Sequence, residues 1–179
     1  PEAALWALTQ LAKSLKEFVS EERGLEILNE FSKNFHLSLK MHFCWRLGIQ
    51  DINSNDLNKT MQILLNDSEK NKIDYSSFFY DFYGGRNSII DCLKSSYGSK
   101  YKVNQFSTIT DILKNSIPLN TSIEKKHRLD QSRENLLINE VENIWKQISL
   151  NNNWDLLYNK IEKFRALGNI LGSEKLVNL

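Results

Sequence analysis

Residues 20–48 read SEERGLEILNEFSKNFHLSLKMHFCWRLG, and the spacing inside that stretch decides the fold class. Ser20 ahead of Glu21, Glu22 and Arg23 marks a helix start, with a hydroxyl able to cap free N–H groups and acids beside the positive end of the helix dipole. From there Leu28, Phe31, Phe35, Leu39, His42 and Trp45 recur at steps of three and four, which lays them down one side of a helix. Gly48 is a natural stop. A helix so bounded runs about 27 residues, or about 40 Å at 1.5 Å per residue.

Helical spacing continues on both sides. Upstream, Leu5, Leu8, Ala12 and Leu15 share a face, while Trp6 sits off it among Thr9, Gln10 and Lys13 and is a candidate contact with a second body. Downstream, Ser54 or Asn55 caps a helix carrying Leu57, Met61, Leu64 and Leu65, which Asn66-Asp67-Ser68 loosens. A short aromatic helix starts around Ile73-Asp74-Tyr75, carries Phe78 and Phe79, and ends at Gly84-Gly85. Ile89, Ile90 and Leu93 make the next helix, up to Gly98. Phe106, Ile109, Ile112 and Leu113 make another, closed by Pro118.

Two long helices finish the chain. The first carries Leu137, Val141, Ile144, Trp145 and Ile148; the second carries Trp154, Leu157, Ile161 and Phe164 and stops at Gly168. Asn151-Asn152-Asn153 is short enough to make them an antiparallel hairpin, and the tail to Leu179 is expected to fray. Tyr101-Lys102-Val103 is too short to build a sheet. The expected fold is all-α, an irregular bundle of about eight helices over a single domain, 1–179.

Composition agrees and narrows the function. The 179 residues are 41% apolar and 25% charged, and seven Gly with two Pro disfavour a turn-dense β fold. Charges of 23 basic and 22 acidic leave a net +1, which provides no field to draw nucleic acid or a membrane surface. Lys125-Lys126-His127-Arg128, flanked by Glu124 and Asp130, reads as a solvated helix face. No apolar run approaches the roughly 20 residues that cross a bilayer. Cys44 and Cys92 read as small buried hydrophobes of a reducing compartment, which places the chain in the cytoplasm. Pro1 opens the chain and Met41 is its first methionine, so the expectation is cleavage, trimming or an incomplete sequence. A removed segment could have carried a targeting signal.

Candidate chemistry is sparse. His36 and His42 are six apart and lie on different helix faces, unlike the i, i+4 pair that grips zinc; His42 reads as a core histidine. Cys44 and His42 point about 200° apart around a helix, so they do not form a nucleophile–base pair. Gly84-Gly85-Arg86 has neither a preceding strand nor a Gly-Lys-Ser/Thr ending and reads as a helix break. Asp74 reads as a helix-start acid without a second carboxylate. No catalytic, cofactor-binding or metal-binding role falls on any residue.

Several of these stretches, in this order, resemble the selenoprotein O family of protein adenylyltransferases. The matching islands are Pro1-Glu2-Ala3-Ala4-Leu5-Trp6-Ala7-Leu8 with Leu11-Ala12 and Leu15, Arg46-Leu47-Gly48, Asn55-Asp56-Leu57, Leu64-Leu65, and Ile73-Asp74-Tyr75-Ser76-Ser77-Phe78-Phe79. The likeness is best over 1–83, lapses over 84–134 and returns over the hairpin at 135–167. There Ile138 stands where the family has an Arg, and the family's preceding Pro is absent, departures that fit a degenerate or truncated gene.

The resemblance implies a kinase-like enzyme that moves AMP from ATP to protein hydroxyls with a divalent metal such as magnesium. The family's Lys, Glu, Asn and metal-binding Asp lie upstream of the region that resembles this chain, so none maps onto a residue here. By that likeness the chain is a C-terminal helical region that packs on a kinase-like portion and is inactive alone, its partners being that portion and, for the parent, protein substrates. Cut from such a body, it is expected to self-associate. The other readings are an independent all-α interaction module anchored by Trp6, Trp45, Trp145 and Trp154, and a small metal- or thiol-dependent enzyme using His42 or Cys44.

Overall fold

Ser20 starts the long helix as its chemistry requires, its Oγ accepting the Arg23 N–H at 3.3 Å. The structure, a computed structural model, describes residues 2–70, 75–95, 98–102 and 104–172. Expectations placed on Pro1, Ile73, Asp74, Val103 and the tail beyond 172 lie outside the described residues. Among those described there are nine α-helices: α1 (Glu2–Ser14), α2 (Glu21–Leu47), α3 (Ser54–Lys70), α4 (Tyr75–Asp81), α5 (Ile89–Lys94), α6 (Asn104–Lys114), α7 (Ser122–Gln131), α8 (Ile138–Asn151) and α9 (Asp155–Leu171). Short 3-10 turns stand at Gly85–Asn87 and Gly98–Tyr101. The all-α expectation holds, with α7, the helix under the basic cluster, as the addition to the expected eight. No helix among the described residues is long and apolar enough to cross a membrane.

Contacts divide the chain into two units, Pro1–Cys44 and Trp45–Leu179, with the division inside α2. In the first unit α1 buries no residue at all. Leu8, Leu15, Leu28 and Phe31 line an open groove of about 530 Å³ between α1 and α2. Trp6 is 68% exposed, and Leu11, Phe18, Leu25 and Ile27 are exposed as well. His42 is exposed and is no core histidine. Phe43, Cys44 and Leu47 are buried instead. At 3.6 residues per turn, that trio centres more than a third of a turn away from the stripe that starts at Leu28. The long helix thus changes its apolar face along its length.

In the second unit Phe78, Phe82, Phe106, Ile109, Leu113, Leu47, Ile49 and Leu64 are almost wholly buried. Aromatic rings chain through this core, Phe78 to Phe82 at 5.2 Å, Phe82 to Tyr101 at 4.9 Å and Tyr101 to Phe106 at 5.1 Å between centroids. Gly48 ends α2 with φ 63, and a Cβ there would lie 2.6 Å from the Tyr83 ring, so only glycine fits. Beyond it Ile49 bridges Pro118, with Gln50 N–H donating to the Ile117 carbonyl at 2.8 Å and Leu119 N–H to that of Gly48 at 2.9 Å. Pro118 therefore sits in a bridge, and α6 has already ended at Lys114.

Other boundaries differ for local reasons. Asn53, rather than Ser54 or Asn55, caps α3: its Oδ1 accepts the Asp56 N–H at 2.9 Å and its Nδ2 donates to the Asp56 carboxylate at 2.6 Å. The helix then runs through Asn66-Asp67-Ser68, because weak local propensity costs only tenths of a kcal/mol per residue. On α5, Ile89 and Cys92 are buried three apart, and Ile90 is 63% exposed. The last helix passes Gly168 and stops at Gly172, which takes φ 73. Burying Leu167, Ile170 and Leu171 with Tyr80, Tyr83 and Leu129 outweighs the roughly 1 kcal/mol cost of a glycine inside a helix. The hairpin forms as expected through residues 152–154, with Asn152 at φ 48. On α8, however, only Ile144 of the expected stripe is buried, and Leu137, Val141 and Trp145 are exposed.

Candidate functional site

Polar side chains concentrate in the second unit, where α4, α7 and the Ser132–Leu137 connector converge. Tyr101 is buried at the end of a 3-10 turn and donates its hydroxyl to Asp81 Oδ2 at 2.5 Å. Asp81, itself buried on the last turn of α4, accepts Arg133 Nη1 on its other oxygen at 2.6 Å. The same guanidinium reaches Asp130 at 2.7 Å, and Lys126 closes the set on Asp130 at 2.7 and 2.9 Å. The guanidinium carbon stands 5.6 Å from the Tyr80 ring centre, a cation–π contact. Burial pushes the Tyr101 hydroxyl well above its usual pKa, and the Asp81 carboxylate reinforces the shift. For Asp130 burial acts upward, but hydrogen bonds from Lys126 and Arg133 outweigh it and hold the carboxyl below its usual range.

Beside this network lies a cleft of about 160 Å³, lined by Asn87, Ser88, Asp91, Cys92, Ser122 and Lys126 among others. Burial pushes the Cys92 thiol up to about 12, and Asp81 adds to the shift, so at neutral pH the sulfur is an unreactive thiol. Two positive and two negative groups in the network cancel (Lys126 and Arg133 against Asp81 and Asp130). Asp91, on the cleft wall, is left over, so the cleft is mildly negative.

A second cluster joins the connector to the hairpin. Lys160, on α9, is 7% exposed and places its ammonium 2.7 Å from Glu134 and 2.8 Å from both oxygens of Glu140 on α8. Lys163 reaches the other oxygen of Glu134 at 3.1 Å. Tyr80 donates its hydroxyl to the Glu134 carbonyl at 2.9 Å. Burial works against the Lys160 charge, but the two carboxylates outweigh it and raise its pKa; hydrogen bonding to Lys160 in turn lowers that of Glu134.

The residues singled out in the sequence scatter. His36 and His127 are exposed, engaging Ser32 O at 2.8 Å and Gln131 at 3.2 Å within their own helices. Cys44 and Cys92 are both buried free thiols. Gly84 and Gly85 both take positive φ, and the Arg86 N–H meets Ser116 Oγ at 3.3 Å: a turn, as read. Of the basic run, His127 and Arg128 are exposed, whereas Lys125 donates to the Leu171 carbonyl and Lys126 to Asp130. Trp45 is engaged internally through its own N–H to the Leu171 carbonyl at 3.1 Å; Trp145 is 64% exposed, and Trp6 and Trp154 are exposed too.

The networks around Asp81 and Lys160 escaped the sequence reading. One signal was present: Lys160 precedes Phe164, Leu167 and Leu171 at helical spacing, so a lysine stood on an apolar face. These clusters are ion pairs that hold elements together, and each carboxylate oxygen of Asp81 is taken. Among the described residues no group of three or more His, Cys, Asp or Glu is placed to hold a metal ion. The cleft is smaller than the roughly 300 Å³ at which small-molecule sites begin, and the larger groove is mainly aliphatic. Neither of these two spaces fits ATP with its metal.

Comparison with known proteins gives one match. A family model described as protein adenylyltransferase SelO matches residues 1–165, which takes in 84–134 as well as the better-resembling islands. No curated protein and no solved structure matches the chain. With nearly all of its length under that family model, the chain belongs to the protein adenylyltransferase SelO family.

Proposed function

We propose that this chain serves as the C-terminal helical region of a kinase-like protein adenylyltransferase, a buttress that contributes no catalytic residue. ATP, the divalent metal and the chemistry of AMP transfer belong to the kinase-like portion, and the site of action is the cytoplasm. The observation that carries the reading is the family match over 1–165, joined to polar clusters that are internally satisfied. The uncovered apolar side chains of α1 and α8, Trp6 and Trp145 foremost, supply surface for that portion to cover.

Exposure of Trp6, Trp145 and Trp154 also favours a second reading, an all-α module that binds an unrelated protein. Supplying the kinase-like portion of a SelO-family enzyme in trans separates the two. Co-elution in size-exclusion chromatography, weakened by Trp6→Ala or Trp145→Ala, is expected. Two independent peaks at micromolar concentration would overturn the buttress.

A further inference from the structure

The helices of the hairpin are attached very unequally. The C-terminal end of α9 is rooted: Leu167, Ile170 and Leu171 are buried with Tyr80, Tyr83 and Leu129, and the Leu171 carbonyl accepts from both Trp45 and Lys125. In contrast, α8 buries one side chain, Ile144 at 9% exposed, and leaves Ile138, Val141, Trp145 and Leu150 in solvent. Across the hairpin, the Lys160 ammonium of α9 is seated on both oxygens of Glu140 on α8. The same ammonium holds Glu134 in the connector that leads into α8. One lysine therefore fastens the connector and the first turn of that helix.

We propose that α8 is a latched strap: Lys160, clasped by Glu134 and Glu140, is the latch, and its release frees α8 while the aromatic core and the end of α9 stay folded. The hinge residues are in place. Ser132–Leu137 is non-helical on one side, and residues 152–154, with Asn152 left-handed, lie on the other. The charged and titratable groups facing the latch are Glu134 and its neighbour Arg133 in the connector, Glu140 on α8, Lys160 and Lys163 on α9, and the Tyr80 hydroxyl on α4. Arg133 turns the other way, to Asp81 and Asp130, so the connector's first residues stay fixed when the second side lets go. Opening would uncover Ile144 beside an already apolar outer face, which gives the released strap a surface that another protein can grip.

Hydrogen exchange read by mass spectrometry on the full chain tests this. In the wild type at pH 7, α8 amides are expected to exchange at least tenfold faster than those of α6, through an opening that leaves α6 protected. Glu140→Gln keeps size and one acceptor oxygen but removes the charge; it should cut α8 protection a further tenfold or more. Lys160→Met, which keeps the aliphatic stem, should do the same to α8. Ile109→Val, in the core, should lower α6 protection several-fold and leave α8 exchange as in the wild type, because the strap opens with that core still folded. Equal protection of α8 and α6 in the wild type, unchanged α8 exchange in both latch variants, or a fall of α8 together with α6 in Ile109→Val, would overturn the strap.

Discussion

Both units of the chain are built from helices, and they bury very different amounts of them. Residues 1–44 make a helix pair whose first member has no buried side chain, around an open aliphatic groove. Residues 45–179 close an aromatic core in which Phe78, Phe82 and Phe106 are wholly enclosed. Amphipathic periodicity is enough to write a helix, whereas a core requires faces that find one another. A two-helix unit with its apolar face open gains little of the burial that offsets chain entropy.

The largest effect should come from the enclosed rings. Phe82→Ala is expected to cost about 3–5 kcal/mol in urea unfolding, whereas Leu11→Ala, on the exposed side of α1, should stay within about 0.5 kcal/mol. Comparable losses from both would erase the contrast between the units. Next comes Gly48→Ala, which forces a Cβ toward the Tyr83 ring at positive φ; about 2 kcal/mol is expected, and Gly24→Ala, whose Cβ would meet Ala12 at an unstrained 3.9 Å, should be neutral or mildly stabilising.

The Lys160 latch sharpens the comparison through pH. Glu134 is held below its ordinary 4.5, so its contribution is complete above that value and is lost as pH falls through the lowered one. Lys160 is held above 10.5, so its contribution is complete below that value and fades as pH rises through the raised one. Between these limits Lys160→Ala should cost about 2 kcal/mol, less than the 3–5 kcal/mol of a deeply buried pair because its partner Glu140 stays 40% exposed. A loss that persists unchanged at pH 3 would assign the effect to packing instead. Smallest is a labelling effect: Cys92, pushed up to about 12 and buried, should resist a thiol reagent at pH 8 until the second unit unfolds. Rapid native-state labelling of Cys92 would mean that the unit opens readily.

Much of this fold is legible in the sequence, unevenly. The long helix is bounded by Ser20 and Gly48 as read, because a cap and a left-handed stop are local devices. His42 misleads because helical spacing fixes only relative direction, and the buried face turns before the helix ends. Gly168 misleads similarly: the pull on Ile170 and Leu171 comes from Tyr80 and Tyr83, about ninety residues earlier in the chain. The ion networks are the least legible part. Asp81, Tyr101 and Arg133 are separated by twenty residues or more and acquire meaning only once α4 and the connector meet. The family, by contrast, was readable from islands in α1 to α4, since residue identity and order along the chain can be read without any tertiary contact.

Titration of ATP with magnesium into the full chain, followed by calorimetry, bears most directly on the claim that this region supports catalysis without holding the nucleotide. No heat of binding is expected up to millimolar ATP. Saturable binding in the micromolar range would contradict it.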